Sequence, residues 1–155
     1  IGFRSEFLTI TSGTGIMTSS FSHYGPAKAG TVAKRQNGVL VSMVNGTCLA
    51  FALFTLQDRG RLFAEPQLEV YEGMIVGMNS RSDDMTVNPT KAKQLTNMRA
   101  SGTDEALTLT PAIKFTLEQA LEFVEDDELV EVTPKSIRIR KRWLTETDRK
   151  RNRGK

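Results

Sequence analysis

The sequence predicts an α+β fold with a mainly β core and two helices in its C-terminal part. Three observations carry this. Short runs rich in Val, Ile, Leu and Phe recur between residues 39 and 140, each bounded by Gly, Asn, Asp or Pro. One segment, "TLEQALEFVEDDE" at 116–128, opens on a capping box and keeps helical spacing. The closing "LTETDRKRNR" has a cap residue, Thr145, ahead of good helix formers.

Taken in order, residues 1–10 read as the end of a helix with Phe3, Phe7 and Leu8 near one face. "TSGTG" is a turn, and "GIMTSSFSHYG" at 15–25 alternates loosely and is expected to be a strand. Twenty-six residues are too few to bury a core, so 1–26 read as the tail of one domain and 27–155 as another. The polar "AKAGTVAKRQ" suits the join. "VLVSMV" and "TCLAFALF" flank Asn45-Gly46, which predicts a type I′ hairpin. "EGMIVGM" at 72–78, "MTVN" at 85–88 and "EALTLT" at 105–110 are expected to be strands. In the helix from Thr116, Leu117, Ala120, Leu121 and Val124 form the expected core stripe, with Glu118, Glu122 and Glu125 facing water. "LVEVTP" and "SIRIRKR" then form strands around Pro134. Ile137 and Ile139 point one way, Arg138 and Arg140 the other.

Composition excludes several classes. Hydrophobic residues make up 39% and charged residues 25% of the 155, the range of an ordinary globular protein rather than a disordered one. The longest apolar run, "CLAFALF", is far shorter than the roughly 20 residues a membrane helix needs. The start has no signal-peptide pattern, and the missing initiator Met points to a fragment. One cysteine, Cys48, cannot form an internal disulfide, which fits a reducing cytoplasmic setting.

No catalytic or metal-ligating set emerges. "GPAKAGT" at 25–31 has the glycine spacing of a phosphate loop but Thr31 where the Lys must stand. One His and one Cys cannot make a usual zinc site. Ser22 and His23, as neighbours on a strand, are expected to point to opposite faces and not to pair. The acidic run at 125–128 reads as a solvated helix end.

Charge is unevenly placed. Residues 135–155 carry a net +8, whereas the rest carries a net −5. A basic terminal segment on an acidic body is a footprint of nucleic-acid contact, here through Arg138, Arg140, Arg149, Lys150, Arg151 and Arg153. A second stretch, "KAKQLTNMRASG" at 91–102, has three cations, no anion and two large apolar residues, Leu95 and Met98. It suits neither a buried strand nor an amphipathic helix.

The blocks "RSEFLTITSGTGIMTSSFSHYGP", "ALFTLQDRGRLFAEP", "VYEGMIVG", "KQLTNMRASGTDEALTLTP" and "DDELVEVTPKSIRIRKR" together resemble the C-terminal part of the bacterial translational GTPase family called TypA or BipA. "LTNMRASG" and "DDELVEVTPKSIR" set that family apart from other relatives of elongation factor G. The resemblance implies that 1–26 are the last helix and strand of a ferredoxin-like domain, and that 27–155 are a family-specific C-terminal domain. It places GTP and Mg outside this chain, in a GTPase domain. It implies a cytoplasmic, monomeric protein that binds the ribosome and acts in stress adaptation and ribosome assembly. Its C-terminal domain would contact large-subunit rRNA and the acceptor arm of the A-site tRNA.

The 91–102 stretch is the best candidate for that contact. Lys91, Lys93 and Arg99 would neutralise phosphates; Gln94, Thr96, Asn97 and Ser101 would bond phosphate or ribose; Gly102 would let the backbone come close. The competing reading is a docking domain whose hairpin or acidic helix binds a ribosomal protein or stress factor.

Overall fold

The computed structural model describes residues 3–26, 35–92 and 108–152, and divides the chain into two compact units, Ile1–Arg35 and Gln36–Lys155. In the first unit, helix α1 spans Phe3–Ile10. It ends in a left-handed turn with Ser12 at φ 51° and Gly13 at φ 81°. There the Gly13 amide donates to the Leu8 carbonyl at 2.7 Å, and Thr11 Oγ1 donates to the Phe7 carbonyl at 2.7 Å. The strand expected at 15–25 is absent, and Phe21 and Tyr24 lie exposed against each other. Alternation in sequence makes no ladder unless a partner strand satisfies its backbone groups.

In the second unit, a sheet of order β3-β5-β1-β6 is built from β1 (Val39–Ser42), β3 (Gly60–Leu62), β5 (Ile75–Asn79) and β6 (Met85–Val87). The centre is antiparallel, with Val39 opposite Met78, while β1 and β6 run parallel. Side-chain alternation sends one strand to two cores. Leu40 and Val76 enter one cluster with Cys48, Leu53 and Leu56; Val39, Val41 and Ile75 enter a second with Ala120 and Ile139. The sheet is therefore covered on both faces.

The first face is covered by α2 (Ala50–Leu56), in the segment expected to be a hairpin strand. A type I′ turn needs positive φ at both central residues; Gly46 has φ 148°, but Asn45 does not share it. Gly46–Thr47, strand β2, pairs instead with β4 (Glu69–Val70), and the Asn45 side chain accepts from the Glu72 amide at 2.8 Å. "AFALFTL" is rich in Ala and Leu, strong helix formers, and buries Ala52, Leu53 and Leu56. The described residues of the C-terminal unit thus hold three α-helices rather than two.

The second face is covered by α3 (Leu117–Phe123) and the hairpin of β7 (Glu128–Val132) and β8 (Ile137–Lys141). The capping box forms as expected: Thr116 Oγ1 accepts from the Gln119 amide, and Gln119 Oε1 from the Thr116 amide. The expected stripe forms in part: Ala120 is buried and Val124 packs on the second core, but Leu117 and Leu121 are exposed, and Phe123 is set against Phe63 and Phe115. With seven residues, α3 presents fewer than two full turns, and the aromatic trio takes the place of the leucine stripe. The hairpin has the expected register, Val130 opposite Ile139 and Glu131 opposite Arg138. Of "EALTLT", residues 105–107 lie outside the described residues, and 108–110 form no strand.

Helix α4 (Glu146–Arg151) is capped by Thr145, whose hydroxyl accepts from the Asp148 amide at 3.2 Å. Ahead of it the chain crosses Gly73, which has φ 88°. A Cβ there would sit 2.6 Å from Leu144 Cα, so both the backbone angle and the close crossing require glycine.

Candidate nucleic-acid interface

The basic loop begins from a fixed stem. Pro89 is fully buried, and its carbonyl accepts from the Leu49 amide at 3.0 Å. Asn88 Oδ1 accepts from both the amide and the hydroxyl of Thr90, each at 2.9 Å. Lys91 follows, exposed and without an ion-pair partner among the described residues. Lys93, Gln94, Thr96, Asn97, Arg99, Ser101 and Gly102 lie outside the described residues.

The return stem is fixed as well. Gln57 brackets it, donating to the Thr108 carbonyl and accepting from the Thr110 amide, both at 3.1 Å. Leu109 packs on the first core, and the Ile113 amide bonds the Leu62 carbonyl at 2.9 Å. Leu49 and Gln57 cap the two ends of α2, roughly 12 Å apart along its axis. Both stems are thus held by one helix. Sequence reasoning missed Asn88 and Gln57 as stem residues. Asn88 before Pro89 was a turn signal that marks the first.

The terminal cations fall into different surroundings. Arg138 and Arg140 do lie on the hairpin face opposite Ile137 and Ile139, but both are half-buried. Arg140 Nε lies 3.9 Å from Glu131, whose other oxygen accepts from the Tyr71 hydroxyl at 2.8 Å. Burial, and then the Glu131 bond, hold the Tyr71 hydroxyl well above its usual range. On α4, Lys150 pairs with Glu146 at 2.6 Å and Arg151 with Asp148 at 3.7 Å, both mostly exposed. Arg149 is half-buried and donates to the carbonyls of Trp143 and Leu144. It is a packing residue as much as a surface charge. Arg153 lies outside the described residues.

Lys141 was not singled out by the sequence, yet it is the most enclosed cation among the described residues, 3% exposed. Its ammonium lies 2.7 Å from Asp84, 2.8 Å from Asp127 and 3.0 Å from Glu128, directly across the hairpin. Burial alone would lower its pKa. The Glu128 charge and hydrogen bonds to Asp127 and Asp84 outweigh that and hold it above the ordinary lysine value. The acidic run at 125–128 is therefore not simply a solvated helix end, because Glu128 is buried and Asp127 shares its cation. The signal was available: once the hairpin register is known, Glu128 must face Lys141.

Two smaller observations bear on chemistry. Ser22 Oγ and His23 Nδ1 lie 2.9 Å apart, against the expectation that they would not pair. The alternation behind that expectation applies to strands, and this segment is not one. Both residues are exposed, and nothing among the described residues orients the imidazole further. No group of three or more His, Cys, Asp or Glu among the described residues is arranged to hold a metal. No helix among them is long and apolar enough to cross a membrane.

Comparison with known proteins agrees with the resemblance read from the blocks. The family model described as the TypA/BipA C-terminal domain matches residues 37–146. The protein named large ribosomal subunit assembly factor BipA from Salmonella typhimurium is 66% identical over 155 residues, covering 99% of this chain and 26% of that protein. Its Escherichia coli K12 counterpart is 66% identical over 151 residues, and that from Haemophilus influenzae 61% over 151. The chain spans about a quarter of the length of the curated relatives it matches. With the family model covering the whole sheet, both helical layers and the loop stems, the chain belongs to the TypA/BipA C-terminal domain family.

Proposed function

We propose that this chain is the ribosome-binding C-terminal region of a translational GTPase that acts in ribosome assembly and stress adaptation. Residues 91–102 contact large-subunit rRNA and the acceptor arm of the A-site tRNA. The observation that carries this reading is the clamped base of the loop. Buried Pro89, the Asn88 turn and the Gln57 bracket hold both stems to α2. They present Lys91 to solvent with no ion-pair partner among the described residues. A rigid base under a polar, cationic loop suits phosphate and ribose contact, which rewards donors and positive charge fixed in place. The relatives' printed name, large ribosomal subunit assembly factor, supports the same partner.

In this reading residues 1–26 close a ferredoxin-like domain and 27–155 form the family-specific domain of a monomeric, cytoplasmic protein. GTP hydrolysis with Mg belongs to a GTPase domain outside this chain, since "GPAKAGT" lacks the phosphate-loop lysine. A second reading, docking to a ribosomal protein or stress factor, draws on the exposed Leu117 and Leu121 beside Glu118 and Glu122.

Chemical footprinting of rRNA and tRNA on ribosomes carrying the full-length protein separates the two. Protection of the ribosomal A site and the tRNA acceptor arm is expected, and disappears when residues 91–102 are replaced by a Gly/Ser linker. Protection that survives this replacement contradicts the loop as the contact.

A further inference from the structure

A groove of about 570 Å³ lies between the tip of the β7–β8 hairpin and the segment 113–115, where the return stem ends. That volume is within the range of small-ligand sites, roughly 300–1,000 Å³. Its floor is apolar, formed by Met74, Ile75 and Ile139. Phe63 and Phe115 line it as well, edge to face with ring centroids 4.7 Å apart and both half-buried.

The polar lining is mainly cationic. Lys114, Lys135 and Arg138 line it against one carboxylate, Glu65, which already pairs with Lys114 at 3.0 Å. Lys135 is exposed at the tip of a tight turn. There Thr133 Oγ1 donates to the Ser136 carbonyl at 2.8 Å and accepts from its amide at 3.0 Å. Arg138 Nε is sealed from solvent and meets no acceptor among the described residues, so an anion in the groove can meet only the outer nitrogens of that half-buried guanidinium.

Aromatic walls with unmatched cations fit a planar ring carrying a phosphate. We infer that the groove receives one unstacked nucleotide of an RNA strand, its base against Phe63 and Phe115 and its phosphate between Lys135 and Arg138. RNA as the partner rests on the proposed function; the groove adds a second contact, separate from the loop. Unstacked bases held on aromatic side chains are the usual mode by which proteins grip single-stranded RNA.

The test is methyl NMR of the full chain with labelled isoleucines, titrated with a uridine hexanucleotide, with uridine 5′-monophosphate and with inorganic phosphate. The hexanucleotide is expected to shift the Ile113, Ile137 and Ile139 methyls and to bind more tightly than the mononucleotide, with inorganic phosphate weakest. Lys135→Glu, at an exposed turn, and Arg138→Gln should each weaken the hexanucleotide about tenfold, because each removes one charge-assisted hydrogen bond to the phosphate. Equal binding of mononucleotide and hexanucleotide overturns the strand assignment in favour of a free nucleotide. Phosphate equalling both removes the base from the account. Tighter binding of an acidic hexapeptide at the same methyls, or hexanucleotide affinity unmoved in a folded Lys135→Glu variant, overturns the inference. Loop-dependent footprints on the ribosome together with methyls that the hexanucleotide does not shift leave the proposed function standing and this inference refuted.

Discussion

Lys141 and Lys150 are the same residue type nine positions apart, and the structure gives them opposite employment. Lys141 is 3% exposed and faces three carboxylates from two separate regions of the chain; Lys150 is 72% exposed and has one partner a helical turn away. Through Asp84, which also accepts the Val39 amide at 2.9 Å, the Lys141 cluster ties the hairpin to the central sheet. The α4 pair ties nothing beyond its own helix. Net charge in the terminal segment is therefore a poor count of charge available to a partner. Arg140, Lys141 and Arg149 are wholly or partly committed to the fold, whereas Lys150 and Arg151 remain at the surface.

The largest expected effect follows from removing the enclosed cation. Lys141→Met removes the ammonium that faces Asp84, Asp127 and the buried Glu128. It is expected to cost about 3–5 kcal/mol by chemical denaturation. A cost below about 1 kcal/mol would mean that the cluster is solvated and the contrast with Lys150 is empty.

Alkaline titration sharpens the same contrast. The Lys141 pKa is raised in the folded state above the ordinary 10.5, so its contribution is complete below that pH and lost as pH rises through the folded value. Cys48, pushed by burial from 9.0 to about 11, acts with the same sign, because the unfolded thiol ionises first. Stability should fall from about pH 9 as the Cys48 window from 9.0 to about 11 is crossed, and fall further beyond 10.5 as Lys141 joins. Cys48→Ala should remove the early onset, and Lys141→Met should reduce the later part, which it shares with Tyr71, whose hydroxyl is likewise raised above its ordinary 10.0. Denaturant midpoints measured every half pH unit check both.

Arg149 is expected to lie between the extremes. Arg149→Gln loses donation to the Trp143 and Leu144 carbonyls and should cost about 1–2 kcal/mol, visible as a lower melting temperature. The smallest effect belongs to Lys150→Gln with Arg151→Gln, which should leave the melting temperature nearly unchanged, because exposed pairs are screened by solvent. If that double variant melts as early as Arg149→Gln, α4 is held by its ion pairs rather than by Arg149.

The sequence made the β7–β8 hairpin and the α3 cap legible because both depend on short-range rules, alternation and a three-residue capping offset. It misread "CLAFALF" because an unbroken apolar run has no period. Asn45-Gly46 then argued for a turn, although Ala and Leu content favoured a helix. The parallel pairing of β1 with β6, some 45 residues apart in register, left no local trace. The exposed leucines of α3 were misplaced because helical spacing identifies a face but not which face meets the core. The basic loop stood out by composition, whereas the Asn88 and Gln57 contacts at its base are tertiary and became visible only in the fold.

In the proposed function that base presents residues 91–102 to RNA, and the cations of that stretch give the most direct test. Ribosome binding by the full-length protein should be measured across a salt series for wild type and for Lys91→Ala, Lys93→Ala and Arg99→Ala combined. If all three contact phosphate, the slope of log affinity against log salt should flatten by about two to three, with folding unchanged. An unchanged slope and affinity would contradict the account and leave the RNA contact to be sought on the terminal cations.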